Sequence, residues 1–136
     1  MKTVAVSGGF DPVTPGHIEY FRMAKELGDK LIVIVNTDDF LKAKKGYAFM
    51  PLADRVAVLE AIKYVDKVVP CIDKDMTVAE TIKFIKPDVF AKGGDRSLEN
   101  LPEKEISACG FVNCEIVCGV GNKTHSSSWY TKNLKG

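Results

Sequence analysis

The chain contains 136 residues, of which 46% are hydrophobic and 27% are charged, and its formal net charge is +1. A chain of this length folds as one domain that buries about two-thirds of its unfolded surface, so we expect a single domain over residues 1–136. The near-neutral charge gives no reason to expect nucleic acid or a membrane surface as a partner. The longest apolar run, residues 31–35, is far too short to cross a bilayer, and the N-terminus lacks a signal-peptide pattern. We therefore expect a cytoplasmic protein.

Four cysteines raise the question of a metal site. No two of them form a Cys-x-x-Cys pair, and the chain has only two histidines. Reduced thiols in the core of a cytosolic protein explain these cysteines better than a metal site does. The four are Cys71, Cys109, Cys114 and Cys118.

Strands and helices alternate in the predicted structure. Continuous apolar runs such as residues 31–35 are typical of strands that are covered on both faces, as in a parallel sheet. Strand–helix–strand units of this kind form right-handed parallel crossovers. The pattern therefore predicts an α/β fold with a five-stranded parallel sheet. The predicted strands are residues 3–6, 31–36, 66–71, 88–91 and 114–118.

The helices between these strands are predicted from apolar spacing and from signals at their ends. In the first helix, Ile18 and Phe21 fall on the same apolar face. Thr77 and Glu80 have the spacing of a capping box, and Gly110 is typical of a residue that ends a helix. The predicted helices are residues 18–27, 52–64, 77–85, 102–109 and 129–134.

The stretch between the first strand and the first helix carries the clearest sign of function. It reads GGFDPVTPGH over residues 8–17, so a strand ends at two glycines and the chain then enters a helix. This arrangement directs backbone N–H groups and the positive end of the helix dipole into one hollow, which suits a phosphate. His17 would point its imidazole into the same hollow. The alternative is a glycine-rich turn with a capping polar residue, and the turn alone does not decide between them.

A basic loop is predicted after the second strand, where residues 41–46 carry Lys42, Lys44 and Lys45. Ligands of open parallel sheets bind at this carboxyl edge. A triphosphate there needs mobile positive charge, so we expect the loop to be mobile and to become ordered when a nucleotide binds. Solvated surface lysines are the alternative explanation.

The GGFDPVTPGH stretch resembles the signature Gly-x-Phe-Asp-Pro-x-(His/Thr)-x-Gly-His of the nucleotidylyltransferase superfamily. This superfamily includes glycerol-3-phosphate and choline-phosphate cytidylyltransferases, phosphopantetheine adenylyltransferase and the heptose-phosphate adenylyltransferases. Thr14 stands where many members have the first histidine, and Gly9 replaces a threonine that is common in several branches. The resemblance implies a Rossmann-like, three-layer fold.

Four later segments resemble segments of the superfamily, in the same order along the chain. Residues 35–45, which contain VNTD and the lysines, and residues 52–55, which end at Arg55, are similar to segments that meet the phosphates. AKGGD at residues 91–95 is similar to the VKGGD of heptose-phosphate adenylyltransferases. Residues 123–128 are similar to the serine/threonine-rich signature that holds the triphosphate. Taken alone, AKGGD also fits a strand-ending turn, and Ser126 also fits an ordinary helix cap.

The resemblance implies transfer of a nucleoside monophosphate from a nucleoside triphosphate to a small phosphorylated acceptor, with release of pyrophosphate. Mg²⁺ would arrive with the triphosphate, and no metal ligands are expected in the protein. His17, Thr14 and Lys44 would be the catalytic residues, and Asp11 would face ribose, metal or acceptor. The residues expected to bind the nucleotide are Gly8, Gly9, Phe10, Asp11, Gly16, Lys42, Lys45, Arg55, Lys92, Gly93, Gly94, Asp95, Ser126, Ser127 and Ser128.

The base of the nucleotide and the acceptor are less well defined by the sequence. Overall size and the lysine segment resemble the glycerol-3-phosphate cytidylyltransferases, whereas residues 92–95 resemble the heptose-phosphate adenylyltransferases. We expect CTP in preference to ATP, although the RTEGIST form of the serine signature is absent. Two other classes stay open. One is a nucleotide-binding regulator that has lost turnover, and the other is a class I aminoacyl-tRNA synthetase-like fragment, for which the chain is short and too neutral.

The KYVD segment, residues 63–66, predicts a dimer. It resembles an Arg-Tyr-Val-Asp segment of the cytidylyltransferases that looks like part of a two-fold contact. A two-fold axis would bring Lys63 of one subunit to Asp66 of the other, twice. We therefore expect a homodimer, and the alternative is that Tyr64 covers the sheet edge of its own domain.

Overall fold

The computed structural model describes residues 1–94 and 97–121 of the chain. Within these residues one five-stranded sheet has the strand order β3-β2-β1-β4-β5, and all of its strand pairs are parallel. The structure therefore confirms the predicted α/β fold. The strands are β1 (Thr3–Gly8), β2 (Lys30–Val35), β3 (Lys67–Pro70), β4 (Val89–Gly93) and β5 (Glu115–Val120).

Helices connect the strands within the described part of the chain. A short 3₁₀ turn, Leu98–Asn100, follows β4. The last predicted helix, residues 129–134, lies outside the described residues. The α-helices are α1 (Pro15–Lys25), α2 (Asp38–Lys45), α3 (Leu52–Glu60), α4 (Ala79–Ile85) and α5 (Glu103–Phe111).

Buried side chains form two clusters, one on each face of the sheet. Successive residues of a strand point to opposite faces, so Val6 belongs to one cluster and Ala5 to the other. The first cluster includes Phe21 of α1, and the second includes Ile82 of α4 and Ala108 of α5. The sheet thus lies between two helical layers, which is the predicted three-layer arrangement.

The first helix begins three residues earlier than predicted. Thr14 is its N-cap, and Pro15 takes the first helical position, where a missing N–H has no cost. Ile18 is 41% exposed, so its predicted place on the buried face is wrong. Tyr20 is buried instead, and its hydroxyl donates a hydrogen bond to the carbonyl of Ala91, which explains why the ring turns inward.

The prediction of a basic loop is wrong, because residues 41–45 belong to helix α2. The backbone N–H of Phe40 donates to Thr37 Oγ1 over 3.1 Å at the N-cap. Gly46 ends the helix with a φ of +88°, a conformation that favours glycine. Leu41 is the buried residue of this helix. One buried apolar residue gives too weak a periodicity to predict a helix from the sequence.

Helix α4 is not capped by the predicted Thr77–Glu80 box. The carboxylate of Asp73 instead accepts hydrogen bonds from the backbone N–H groups of Glu80 (2.7 Å) and Thr81 (2.9 Å). A charged acceptor makes stronger hydrogen bonds than a hydroxyl does, which accounts for the replacement.

Two further helix ends differ from the prediction. Helix α3 ends at Glu60 instead of residue 64. Helix α5 continues through Gly110, which was predicted to end it, and reaches Phe111. Asn113, with a φ of +57°, turns the chain away two residues later. Asparagine tolerates this left-handed conformation, so it takes the role that glycine was expected to play.

The segment predicted to form a dimer contact has partners within the chain. The carboxylate of Asp66 accepts a hydrogen bond from the backbone N–H of Leu31 (2.8 Å) and pairs with Lys25. Tyr64 is partly buried against the first core cluster, and the ammonium of Lys63 lies 5.1 Å from the centre of the Tyr64 ring. Because Asp66 already has a cationic partner, the predicted Lys63–Asp66 pair would have to compete with it.

All four cysteines are free thiols, as predicted, and Cys118 is the least buried of them. Cys71, Cys109 and Cys114 belong to the second core cluster, where they pack as small apolar side chains, whereas Cys118 of β5 is partly buried. None of the helices in the described ranges has the length and apolar character needed to cross a membrane.

Candidate active site

The strand order creates a gap at the carboxyl ends of β1 and β4. Strand β1 pairs with β2 at six positions, whereas its pairing with β4 is limited to Val4 with Val89 and Ala5 with Phe90. The chain passes from β1 outward to β3 and then returns to the other side of β1 with β4, so this gap is the switch point of the sheet. Ligands of open α/β sheets bind at such points. Residues 8–14, here called the glycine turn, lie at this gap.

His17 lies in the first turn of α1, and its orientation is fixed by Thr14. Its Nδ1 accepts a hydrogen bond from the backbone N–H of Thr14 over 3.0 Å. Because Nδ1 is an acceptor, the neutral ring carries its proton on Nε2. Burial lowers the pKa of His17 from 6.5 to about 4, so the ring is neutral at pH 7. His17 therefore presents one neutral N–H donor.

Thr14, which was predicted to be catalytic, contacts His17 through its side chain. Its Oγ1 lies 3.2 Å from His17 Nδ1 and accepts a hydrogen bond from the His17 backbone N–H over 3.4 Å. The residue is only 4% exposed. Thr14 is thus a positioning residue that caps the helix and holds the imidazole.

Phe10 supports the His17 ring from the core. The Phe10 ring makes edge contacts with His17 and with Phe21, each at a centroid distance of 5.1 Å. A Cβ on Gly8 would lie 2.8 Å from the Phe10 ring, so the close packing requires a glycine there. The Phe10 side chain is buried, and this geometry does not support a direct contact of the side chain with a nucleotide.

Asp11 links the glycine turn to the connection between α2 and α3. Its carboxylate accepts hydrogen bonds from the backbone N–H groups of Phe49 and Met50, both over 2.6 Å, and lies 3.1 Å from Lys45 Nζ. Asp11 is only 1% exposed. Its side chain therefore does not face ribose, metal or acceptor as predicted, and Lys45 neutralises it.

Arg55 holds the same turn and is completely buried. Its guanidinium donates to the carbonyls of Met50 (2.9 Å), Gly9 (3.0 Å) and Asn36 (2.6 Å), and it pairs with Asp38 over 2.5 Å. Four of its five N–H groups are thus used within the protein. The predicted direct contact between Arg55 and the phosphates is not supported by this geometry.

A cleft of about 220 Å³ opens beside the glycine turn, on the α4–α5 face of the sheet. Ser7 from β1 and Lys92 from β4 line it together with Asn36, which follows β2. Lys44 of α2 and Glu105 of α5 complete the polar part of the lining. His17 belongs to α1, which covers the opposite face, so the glycine turn separates two polar regions.

Lys92 and Glu105 form a buried ion pair in this cleft. Lys92 Nζ lies 3.9 Å from Glu105 Oε1 and donates a hydrogen bond to Ser7 Oγ over 3.3 Å. Glu105 Oε2 accepts a hydrogen bond from the backbone N–H of Val78 over 3.2 Å. Glu105 Oε1 and Asn36 Oδ1 are buried and have no hydrogen-bond partner among the described residues.

Three polar residues that line the cleft were not predicted individually as site residues, namely Ser7, Asn36 and Glu105. Ser7 and Asn36 stand near the end of apolar strands, where a polar residue is a usable signal. Glu105 shares the buried stripe of α5 with Ala108 and Cys109, at helical spacing. A carboxylate on such a stripe is the signal that could have identified it.

The other predicted site residues lie around the same edge of the sheet. Lys42 and Lys44 are exposed on α2. Gly16 is the second residue of α1, and Gly93 ends β4 next to Gly94. The predicted residues that fall outside the described part of the chain are Asp95, Ser126, Ser127 and Ser128.

Within residues 1–94 and 97–121, no group of three or more His, Cys, Asp or Glu side chains is arranged to hold a metal ion. The predicted Mg²⁺ belongs to the nucleotide substrate and stays a prediction.

The chain matches the cytidylyltransferase-like family over residues 5–129. It is 47% identical over 118 residues to FAD synthase from Pyrococcus horikoshii, an alignment that covers 84% of this chain and 77% of the relative. It is 41% identical over 128 residues to the bifunctional protein HldE from Actinobacillus succinogenes, with 89% of this chain and 26% of the relative covered. The chain therefore spans about a quarter of HldE.

Solved structures show the same fold. The lipopolysaccharide core biosynthesis protein from Thermoplasma volcanium GSS1 is similar with a TM-score of 0.77 and 28% identity, over 90% of this chain and 98% of that chain. Thermotoga maritima TmcAL, solved with bound alpha-thio ATP, shares the fold at a TM-score of 0.70 and 13% identity, over 99% of this chain and 50% of that chain. With the switch-point site and the match over residues 5–129, the chain belongs to the cytidylyltransferase-like family of nucleotidyltransferases.

Proposed function

We propose that this protein transfers a nucleoside monophosphate from a nucleoside triphosphate to a small phosphorylated acceptor. An oxygen of the acceptor phosphate forms a bond to the α-phosphorus, the bond from that phosphorus to the bridging oxygen breaks, and its electron pair leaves on pyrophosphate. The acceptor phosphate is already an anionic nucleophile, so no carboxylate base is required. The reaction depends on positioning and on stabilisation of charge.

The observation that carries this proposal is the neutral His17 at the start of α1, beside the glycine turn. Its Nε2–H suits an oxygen of the transferring phosphate, because a pKa of about 4 keeps the ring in one protonation state at physiological pH. Lys44, exposed where it lines the cleft, would neutralise charge on the reacting phosphates. The resemblance alone supports the parts assigned to Ser126–Ser128 and to Mg²⁺ carried by the triphosphate.

We propose ATP as the donor. The Pyrococcus relative is named FAD synthase, and FAD contains an adenylyl group. The AKGGD segment, which resembles the heptose-phosphate adenylyltransferases, supports the same choice. Overall size and the lysine segment favour CTP, which is the second candidate.

Release of pyrophosphate tests both the reaction and the donor. The assay would combine ATP, CTP, GTP or UTP with Mg²⁺ and with glycerol 3-phosphate, sugar 1-phosphates or FMN. We expect acceptor-dependent release that is fastest with ATP, and faster release with CTP would overturn the choice of donor. A nucleoside triphosphate that raises the melting temperature, with no turnover on any acceptor, would indicate a nucleotide-binding regulator instead.

We also propose a homodimer formed through residues 63–66. Because Asp66 pairs with Lys25 within the chain, Tyr64 would supply most of the contact through apolar area. Light scattering at micromolar concentration should give a dimer mass for the unmutated protein and for Phe111→Glu, a change on an exposed part of α5. Tyr64→Glu should give a monomer with an unchanged circular dichroism spectrum. A monomer mass for the unmutated protein would contradict the proposal.

A further inference from the structure

Two thiols that the proposed reaction does not use meet where helix α5 passes into strand β5. Cys109 lies in the last turn of the helix, and Cys114 immediately precedes the strand. Both residues are buried in the second core cluster, and both are free thiols. Their side chains are hydrogen-bonded to each other, so the two sulfur atoms lie in contact.

The end of the helix brings these two residues together. The backbone N–H of Cys114 donates to the carbonyl of Cys109 over 2.8 Å, and that of Asn113 donates to the carbonyl of Gly110 over 3.3 Å. Asn113 has a left-handed φ of +57°. This pair of hydrogen bonds around a left-handed residue is the Schellman motif, in which the side chains at the two ends of the longer bond commonly meet.

The same backbone hydrogen bond limits the distance between the two cysteines. With standard bond lengths, an N–O distance of 2.8 Å keeps the Cα atoms of Cys109 and Cys114 within about 6.7 Å of each other. Disulfide-bonded cysteines have Cα atoms roughly 4.4–6.8 Å apart. The backbone of the reduced protein therefore already permits a bridge.

A third thiol of the same cluster shows how this pair differs from an isolated buried cysteine. The thiol of Cys71 contacts Asp73 and Thr81, and burial raises its pKa. The hydrogen bond from Cys114 instead lowers the pKa of Cys109, and the same bond raises the pKa of Cys114. Because the thiolate is the form that attacks oxidants, Cys109 is the nucleophile of the pair and Cys114 is the resolving thiol.

The turn that covers the pair is open to solvent. Gly110, Phe111 and Asn113, which lie between the two cysteines in sequence, are exposed. Short turns with exposed backbone open locally more readily than the centre of a sheet does. A small oxidant can therefore reach these thiols without unfolding of the sheet.

We propose that Cys109 and Cys114 form a reversible modification site, at which a peroxide converts the two thiols to an intrachain disulfide. Cys109 sulfur attacks one oxygen of hydrogen peroxide and the O–O bond breaks, which gives a sulfenic acid and, with the proton of the thiol, one water. Cys114 sulfur then attacks the sulfenic sulfur, and the S–O bond breaks. The oxygen leaves with the proton of the second thiol as another water. The peroxide gains the two electrons that the thiols lose, and a thiol reductant reverses the change. This inference is independent of the proposed function.

Thiol titration and peptide mapping of the folded, unmutated protein test the proposal. After hydrogen peroxide, the thiol count measured in denaturant should fall from the four of the sequence to two, and dithiothreitol should restore all four. Cleavage after Glu105 and Glu115 releases residues 106–115, which contain both cysteines of the pair and no other. This peptide should take up no alkylating reagent and should be about 2 Da lighter, the mass of the two hydrogen atoms lost.

Serine variants identify the two partners. Cys109→Ser and Cys114→Ser should each abolish the disulfide. Cys71→Ser removes a buried thiol from the same cluster and Cys118→Ser removes the least buried one, and both should retain the disulfide. The oxidised unmutated protein should also melt about 5 °C above the reduced one, because the bridge restricts the unfolded chain.

The mapping of the unmutated protein decides the outcome even if a variant does not fold. Two alkyl groups on residues 106–115 after peroxide treatment would overturn the proposal. So would a loss of thiols from Cys71 or Cys118, or a loss that dithiothreitol does not reverse, since sulfinic and sulfonic acids resist that reductant. A lower melting temperature for the disulfide form would show that the native geometry does not fit the bridge.

Discussion

One polar network surrounds the glycine turn and a second lies in the adjacent cleft, and the two differ in how many of their buried polar groups have hydrogen-bond partners within the protein. Around the turn itself, Asp11 accepts two backbone hydrogen bonds and pairs with Lys45, and Arg55 uses four of its five N–H groups. In the cleft, Glu105 and Asn36 each keep a buried oxygen without a partner among the described residues. Burial of charge therefore does not by itself identify a ligand site, and the hydrogen bonds of each buried group distinguish a satisfied network from one that contains unpaired acceptors.

The largest effect is expected from breaking the satisfied network. Arg55→Met should lower the free energy of unfolding by about 3–5 kcal/mol, because it removes the donor to three carbonyls as well as the cationic partner of the partly exposed Asp38. Chemical denaturation would measure it. Lys42→Met, at an exposed position of α2, should change stability by no more than about 0.5 kcal/mol. Similar small losses for both variants would show that the network does not stabilise the turn.

The next effect concerns catalysis on the His17 side. His17→Ala should lower kcat by about 10²–10³ with a modest change in the nucleotide KM, because it removes a donor that acts on charge in the transition state. Steady-state kinetics on the unmutated protein and the variant would measure both constants. Thr14→Ser keeps the hydroxyl that holds the imidazole and should retain most of the activity. An unaltered kcat in His17→Ala would remove this residue from the site.

The protonation of His17 provides a third test. The pKa of His17 is about 4 in the folded protein, whereas its ordinary value, expected in the unfolded chain, is 6.5. Between these two pH values the unfolded chain therefore binds a proton more readily than the folded protein does. The free energy of unfolding is unaffected by this titration above pH 6.5 and decreases as the pH falls toward 4. Between pH 7 and pH 4.5 the unmutated protein should lose about 2 kcal/mol more than His17→Gln. Parallel stability curves would contradict the burial of a neutral ring.

The smallest expected effects concern two adjacent lysines. Lys45 pairs with Asp11 at the glycine turn, whereas Lys44 lines the cleft. Lys45→Met should cost about 1 kcal/mol of stability, since Asp11 loses its cation but keeps its two backbone hydrogen bonds. Lys44→Met should leave stability within about 0.5 kcal/mol and raise substrate KM values by about two- to fivefold, as expected for an exposed charge. Thermal unfolding and kinetics on both variants would test this. Equal changes in stability for the two variants would contradict the assignment of Lys45, but not Lys44, to the network around the glycine turn.

Local patterns were enough to predict the framework and the position of the turn. The apolar run of residues 31–35 predicts β2, because a strand covered on both faces places consecutive apolar residues in the core. The glycine stretch and His17 are close in sequence, so their geometry follows from the strand–turn–helix that contains them. Helix α2 was not predicted because Leu41 is its buried residue and its apolar periodicity is therefore weak. Its two capping residues, Thr37 and Gly46, do not add to that periodicity.

Only the tertiary structure decided which polar residues have hydrogen-bond partners within the protein and which keep unpaired atoms. Arg55 and Asp11 were predicted to bind the nucleotide, yet both are buried by partners that are distant in sequence, such as Gly9 for the guanidinium and Met50 for the carboxylate. Glu105 and Lys92 come together only because α5, which carries Glu105, packs on the face of the sheet next to β4, which carries Lys92. A sequence specifies which residues can be charged and which segments are apolar. Whether a given charge is satisfied by the protein or left for a ligand depends on contacts between segments that the chain brings together only on folding.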